Sequence, residues 1–242
     1  MIEVRNLVAK YDETTILNGI NVDILPGQVT VILGGSGCGK TTLLKNILQL
    51  YRPFSGSVKM FGKEVTTMEE TEFEETLKRV GMLFQNGALL NSVNIFENIS
   101  IPLEQHTDLP VGIIKRIIDV KLNLVNLSHA TYLFPSELSG GMKKRAALAR
   151  AIVLDPEILF CDEPSAGLDP LSSAALDELI LKLKKQLNMT IVIVTHELAS
   201  IHRIADQIIF LDGGKMLYSG SLKDAKKAGI KEIDIFFKTG EF

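Results

Sequence analysis

The chain has 242 residues, 46% of them hydrophobic and 23% charged. That excludes a disordered chain and supplies a sizeable core, and the length fits one large α/β domain or one domain with an insertion. Lys and Arg number 26 against 29 Asp and Glu, a net charge of −3, the wrong sign for a protein held mainly by a nucleic-acid backbone, so no nucleic acid is expected among its partners.

The two cysteines, Cys38 and Cys161, make neither a disulfide framework nor a paired metal motif, which favours a reducing compartment. Glu3, Arg5, Lys10, Asp12 and Glu13 open the chain with no apolar stretch behind them, so no signal peptide is expected. No window approaches the roughly 20 apolar residues of a membrane-spanning helix. Work at a membrane would proceed from the water side, through a partner.

In chain order, alternation over 2–8 predicts a strand, and 21–25 a second with Val22 and Ile24 on one face. A Pro26-Gly27 turn leads into the apolar run 28–33, which suits a strand covered on both faces of a parallel sheet. Helical spacing of Leu44, Ile47 and Leu48 predicts a helix over 41–50. The segment from 87 to 155 reads as a helical insertion, with periodic stretches at 113–127 and 140–154. Strand–helix alternation then resumes: a strand at 157–161, a helix at 171–186, and strands at 190–194 and 208–211. Strands alternating with helices argue for a parallel sheet.

Between the strand at 28–33 and the helix at 41–50 lies Gly34-Gly35-Ser36-Gly37-Cys38-Gly39-Lys40-Thr41, which fits G-x-x-x-x-G-K-[ST]. Glycines let successive N–H groups turn inward around phosphate oxygens, and the helix start adds its positive dipole end. Lys40 would reach the β- and γ-phosphates and the Thr41 hydroxyl would bind Mg²⁺. A dinucleotide fingerprint fails, because counting on from Gly35 and Gly37 the third glycine position is Lys40.

The strand Leu159-Phe160-Cys161 ends in Asp162-Glu163. Asp162 would hold Mg²⁺, and Glu163 would orient or deprotonate an attacking water. Leu138-Ser139-Gly140-Gly141-Met142 opens a helix whose first turns carry Lys143, Lys144 and Arg145. Ser139 can cap that helix. The basic triplet opposes the positive end of the helix dipole, a conflict that a bound phosphate would relieve.

With LSGG lying between the phosphate loop and the LFCDE strand, nearly the whole chain resembles the ATP-binding subunits of ABC transporters. The resemblance implies an α/β P-loop NTPase core of RecA type with a parallel sheet, an N-terminal antiparallel β portion and an inserted helical subdomain. Its expected bounds are 1–86 and 156–220 for the core, 87–155 for the helical subdomain and 221–242 for a C-terminal extension. It further implies that Tyr11 stacks on adenine and that Gly34, Gly35, Ser36, Gly37, Cys38, Gly39, Lys40, Thr41 and Thr42 cradle ATP. Gln85 in GMLFQN would contact Mg²⁺ and water and sense the membrane partner, and His196 in IVIVTHE would contact the γ-phosphate. Asp169 in AGLDP would sit at a dimer seam. Ser139, Gly140 and Gly141 of a second copy would close on the same γ-phosphate, which makes the expected unit an ATP-sandwiched homodimer.

Met142 in place of the commoner glutamine, the segment 81–110 and the run "PLEQHT" are similar to the Mla/MCE-type lipid-transport ATPases. That similarity implies integral membrane permease subunits as partners, gripped near Gln85 and 89–96. It also implies an MCE-type lipid carrier reached through the permease, and a peripheral place on the cytoplasmic side of the inner membrane. Amino-acid or ion importers share the same core, as do ABC ATPases of DNA repair or ribosome work. At the C-terminus, 221–242 either closes the core with a short helix or, through Phe236 and Phe237, anchors a dimer.

Overall fold

The computed structural model describes residues 1–239. They divide into two units, Met1–Thr76 with the segment from Thr190 onward, and Leu77–Met189. In the first unit β1 (Ile2–Tyr11) and β2 (Thr14–Ile24) pair antiparallel with Ile2 opposite Ile24 and Val4 opposite Val22. Ile2 and Val4 are buried and Glu3 is exposed, so alternation fixes the face as expected. The next strand, β3 (Val29–Gly34), is buried at all six positions, which explains a run that is apolar apart from Thr30 and the closing glycine. It feeds α1 (Lys40–Ile47), which ends short of the predicted Leu50 because Gln49 turns left-handed at φ 52°.

Two strands absent from the sequence prediction follow. The first, β4 (Ser55–Met60), pairs antiparallel with β1, and β5 (Lys63–Glu64) pairs with β4. The first sheet therefore runs β2-β1-β4-β5. Next comes α2 (Glu70–Leu77).

The second unit holds the parallel pair β6 (Val80–Leu83) and β7 (Ile158–Asp162), in register from Val80 opposite Ile158 to Leu83 opposite Cys161. Between them lie α3 (Ile95–His106), α4 (Val111–Leu124) and α5 (Gly140–Ala151). No strand lies within 87–155, as the periodicity predicts. An Asn94–Glu97 capping box starts α3. The unit closes with α6 (Pro170–Leu187), whose left-handed Asn188 ends it.

The chain returns to the first unit through β8 (Thr190–Val194), α7 (Leu198–Ile204), β9 (Gln207–Asp212) and β10 (Lys215–Ser221). Both β8 and β9 are parallel to β3, and β10 is antiparallel to β9, giving the order β10-β9-β3-β8. Parallel strands, an antiparallel N-terminal portion and a helical subdomain are all present as predicted. Last come α8 (Leu222–Ala225) and α9 (Lys231–Thr239). Phe237 is buried against the His202 ring at 5.6 Å, and the Phe236 ring meets Phe210 edge-on at 5.5 Å. Both rings therefore find partners inside their own unit, which favours the core-closing reading of this segment over a dimer anchor.

Candidate functional site

In the first unit the phosphate loop is the turn from β3 into α1. Gly34 carries φ 145°, and a Cβ there would lie 2.0 Å from the Leu211 carbonyl oxygen and 2.8 Å from the Cys38 sulfur. Gly39, at φ 105°, would push a Cβ to 2.5 Å from Leu17 Cδ2. Only glycine fits either position, so the backbone itself forms the cradle. Leu43 N–H bonds the Gly39 carbonyl at 2.8 Å, and the N–H groups of the turn before it lack intrahelical acceptors. These are anion-binding donors. Lys40 Nζ donates to the carbonyls of Gly34 and Gly35, both at 2.9 Å. The ammonium thus arches over its own loop, where charged phosphate oxygens would be stronger acceptors than carbonyls. Cys38 is buried beneath, and burial pushes its thiol above the ordinary cysteine range although Lys40 pulls the other way.

Register brings His196 to this loop. Val194 of β8 pairs with Ile32 of β3, so Gly34 and His196, two residues further along parallel strands, emerge at the same edge. His196 is exposed there. Tyr11, at the end of β1, is 41% exposed, and Tyr51 meets it edge-on with ring centroids 5.7 Å apart. The sequence reading did not pick out Tyr51, which braces the face predicted to stack on adenine.

In the second unit the same register logic joins Gln85 and Glu163. Leu83 pairs with Cys161, so each residue lies two positions beyond paired neighbours. The backbone of Glu163 is left-handed at φ 46°, a conformation that costs a non-glycine residue energy and is retained where surroundings enforce it. Two donors hold the Glu163 carbonyl, Ala166 N–H at 3.1 Å and Lys144 Nζ at 3.3 Å, and the same Nζ donates to the Gln85 carbonyl. Burial lowers the Lys144 pKa, and Cys161, Glu163 and Asp162 pull it back up. Arg150 on the same helix donates to the carbonyls of Ala88 and Gly87, both at 2.8 Å.

The basic triplet therefore splits: Lys143 is exposed, Lys144 points inward and Arg145 lines a cavity. A bound phosphate is not needed to accommodate Lys144, because backbone carbonyls already do so. The signal was present in the sequence, since Lys144 falls on the buried stripe of Ala147 and Leu148 at helical spacing.

The LSGG tip and the Asp169 loop meet within this unit. Ser139 caps α5 by accepting from Met142 N–H at 3.3 Å. Asp169 caps α6, accepting from the Leu171 and Ser172 N–H groups at 3.1 and 3.0 Å. Hydrogen bonds from the Ser172 side chain and then its backbone hold the Asp169 carboxyl below the usual range. Ser139 and Gly141 line one cavity of about 370 Å³ with Arg145, Leu168, Ser172 and Lys182. Ser139 and Gly140 are exposed at its rim, a capped helix N-terminus open to an anion from outside.

Thr41, Gln85 and Asp162 offer oxygen donors of the kind a hard cation takes beside substrate phosphates. Among the described residues no cluster of three or more His, Cys, Asp or Glu could hold a metal ion. No described helix is long and apolar enough to cross a membrane.

Residues 17–166 match the family model described as ABC transporter. The chain is 41% identical over 221 residues to the intermembrane phospholipid transport system ATP-binding protein MlaF of Haemophilus influenzae, covering 91% of this chain and 84% of that one. It is 42% identical over 207 residues to the probable ribonucleotide transport ATP-binding protein mkl of Mycobacterium leprae, covering 86% of this chain and 60% of that one. Among solved structures it is similar to the post-hydrolysis dimer of the ATP-binding cassette MJ0796 bound to ADP and Pi. The TM-score is 0.83 and the identity 26%, with 92% of this chain and 99% of that one covered. The matching fold is that of a P-loop NTPase, as predicted.

Proposed function

This chain belongs to the ABC transporter family as an ATP-hydrolysing subunit that uses Mg²⁺, and from that premise we propose that it energises phospholipid movement by a membrane permease. The observation that carries the lipid assignment is the 41% identity to MlaF across 91% of the chain. The working unit is a homodimer, a reading supported by the dimeric cassette it is similar to. That dimer binds permease subunits from the cytoplasmic side of the inner membrane. An MCE-type carrier accepts or donates the lipid beyond the permease.

Each residue of the site takes a role in one hydrolytic step. Tyr11 stacks on adenine. The backbone of Gly34, Gly35, Ser36, Gly37, Cys38 and Gly39 donates to phosphate oxygens, and the Lys40 ammonium leaves its loop carbonyls for the β- and γ-phosphates. Thr41, Gln85 and Asp162 would hold Mg²⁺, whose charge would offset that developing on the phosphate oxygens; Thr42 steadies the phosphate-loop turn. Glu163 takes a proton from water as its oxygen attacks the γ-phosphorus. The bond to the β–γ bridging oxygen breaks, leaving ADP and inorganic phosphate. His196 holds the γ-phosphate on one side. Ser139, Gly140 and Gly141 of the second copy close on the other, with Asp169 at the seam. Loss of the γ-phosphate removes what joins the copies, and the halves part.

The test is the reconstituted complex in lipid vesicles, comparing wild type with Glu163→Gln for ATP turnover and for transfer of labelled phospholipid. Turnover is expected to fall roughly 10²–10⁴-fold, the usual contribution of a positioned base, and lipid transfer to fall with it. Wild-type turnover in the variant refutes the role of Glu163. ATP turnover that moves labelled ribonucleotide and no lipid refutes the lipid assignment in favour of the second relative's named cargo.

A further inference from the structure

Lys144 is 7% exposed and sits on α5, the helix that begins at the LSGG tip. Its ammonium bridges two backbone carbonyls, that of Gln85 and that of Glu163, the latter shared with the Ala166 N–H at 3.1 Å, and the two residues follow adjacent parallel strands. Burying a lysine is unfavourable, and an apolar side chain of similar length often serves packing as well or better. An ammonium here is explained by what it holds. One carbonyl belongs to the left-handed residue that carries the reacting carboxylate, and the other to the loop predicted to sense the permease. Charge-assisted hydrogen bonds are the strong and directional kind. Six residues on, Arg150 holds the carbonyls of Gly87 and Ala88 in the same loop. One helix therefore reaches four carbonyls, three in the Gln85 loop and one at Glu163, while Ser139 caps its N-terminus and its first turn carries Gly141.

We propose that Lys144 is a positioning residue for hydrolysis: it fixes the backbone of Glu163 and ties it to the Gln85 loop, so that the carboxylate is aimed only while that loop is in place. Lys144 does not touch ATP or the attacking water. It acts through the carbonyl of Glu163, and it makes the permease-facing loop and the reacting carboxylate move as one piece with α5. This rests on the ATPase reading above and deepens it.

The experiment uses the full transporter complex in vesicles and compares wild type, Lys144→Met and Lys144→Arg. Methionine keeps the length and apolar stem but loses the donor; arginine keeps donors and charge. For Lys144→Met, kcat is expected to drop roughly 10- to 100-fold, the scale of misplacing a reacting group by about 1 Å. KM for ATP should stay within about twofold and the melting temperature should be unchanged or raised. Arginine should recover most of the lost kcat. Wild-type kcat in Lys144→Met overturns the assignment, as does a loss of kcat, ATP affinity and thermal stability together. Failure of both variants to fold overturns it too, because the residue would then be needed for the fold itself. The wild-type complex separates the two readings: if it does not turn over ATP, the ATPase reading falls. If it does and Lys144→Met matches it, only the role of Lys144 falls.

Discussion

Asn98 offers a measurable test of how the loop before α3, proposed above to face the permease, is held. Its side chain is fully buried in α3 and hydrogen-bonds through both amide atoms to the loop before the helix. Oδ1 accepts from Leu90 N–H at 2.8 Å, and Nδ2 donates to the carbonyls of Leu90, Val93 and Asn94 at 3.0, 3.2 and 3.0 Å. Two amide hydrogens serve those three carbonyls, so Asn98→Ala removes the equivalent of three full bonds. At about 0.5–1.5 kcal/mol net per bond the sum is roughly 1.5–4.5 kcal/mol. Leu90 is 49% exposed, so water reaches part of the freed loop and the expected loss lies in the lower half, about 2–3 kcal/mol. For a chain of this size, each kcal/mol moves the melting temperature by about 2–4 °C, so a fall of roughly 4–12 °C is expected. Differential scanning calorimetry of the purified subunit checks it, with Asn91→Ala as the exposed control. Because the loop would remain tied at Gln85, Gly87 and Ala88, isolated-subunit ATPase activity should survive while stimulation by the permease declines. A melting temperature within about 1 °C of wild type refutes the reasoning.

Three further outcomes follow from the structure. Burial raises the Cys161 thiol far above the ordinary value of 9.0, so its neutral form is kept in the fold while the unfolded chain ionises. That stability is present below pH 9.0 and lost as pH rises above it, and the difference between wild type and Cys161→Ala should shrink by about 1.4 kcal/mol per pH unit there; a pH-independent difference in urea titrations up to pH 10 counts against it. The lowered Asp169 carboxyl has the opposite sign: its cap stabilises above the ordinary value of 3.8 and is lost as pH falls through its folded pKa. The advantage of wild type over Asp169→Asn in melting temperature should therefore vanish in acid, and an advantage constant from pH 7 to pH 3 speaks against the cap. Phe237→Ala should cost about 3–5 kcal/mol of folding stability in urea; an unchanged midpoint with weakened self-association in sedimentation would return that ring to a contact between copies.

What could be read from the sequence was whatever depends on local chemistry. The loop 34–41 declares itself because glycine, lysine and threonine are each needed at their spacing, and β3, β7 and β8 declare themselves because strands covered on both faces are apolar at nearly every position. The strands that were missed are those whose stability comes from neighbours distant in sequence. Four residues make up β6, including Gly81, whose absent side chain lets the Ala151 carbonyl approach; a Cβ there would meet it at 2.3 Å. Half-exposed along its length, β10 has no fully buried position to advertise a face. In β4 only Val58 and Met60 are buried, and Gly56 interrupts the pattern. Lys144 escaped for a different reason. Three adjacent basic residues suggest one charged patch, yet a helix sends neighbours 100° apart, and only the one aligned with Ala147 and Leu148 turns inward.

Gly34 has a bearing on how loss-of-function variants of this loop are to be understood. Any side chain at that position becomes a wedge driven at the Leu211 main chain, prising β3 away from its parallel neighbour β9, where Gly34 and Leu211 stand opposite one another. An inactive protein altered there will have lost sheet integrity before any question of nucleotide grip arises. Solubility and spectral signatures, and not residual turnover, are the measurements that separate a broken scaffold from a broken catalyst.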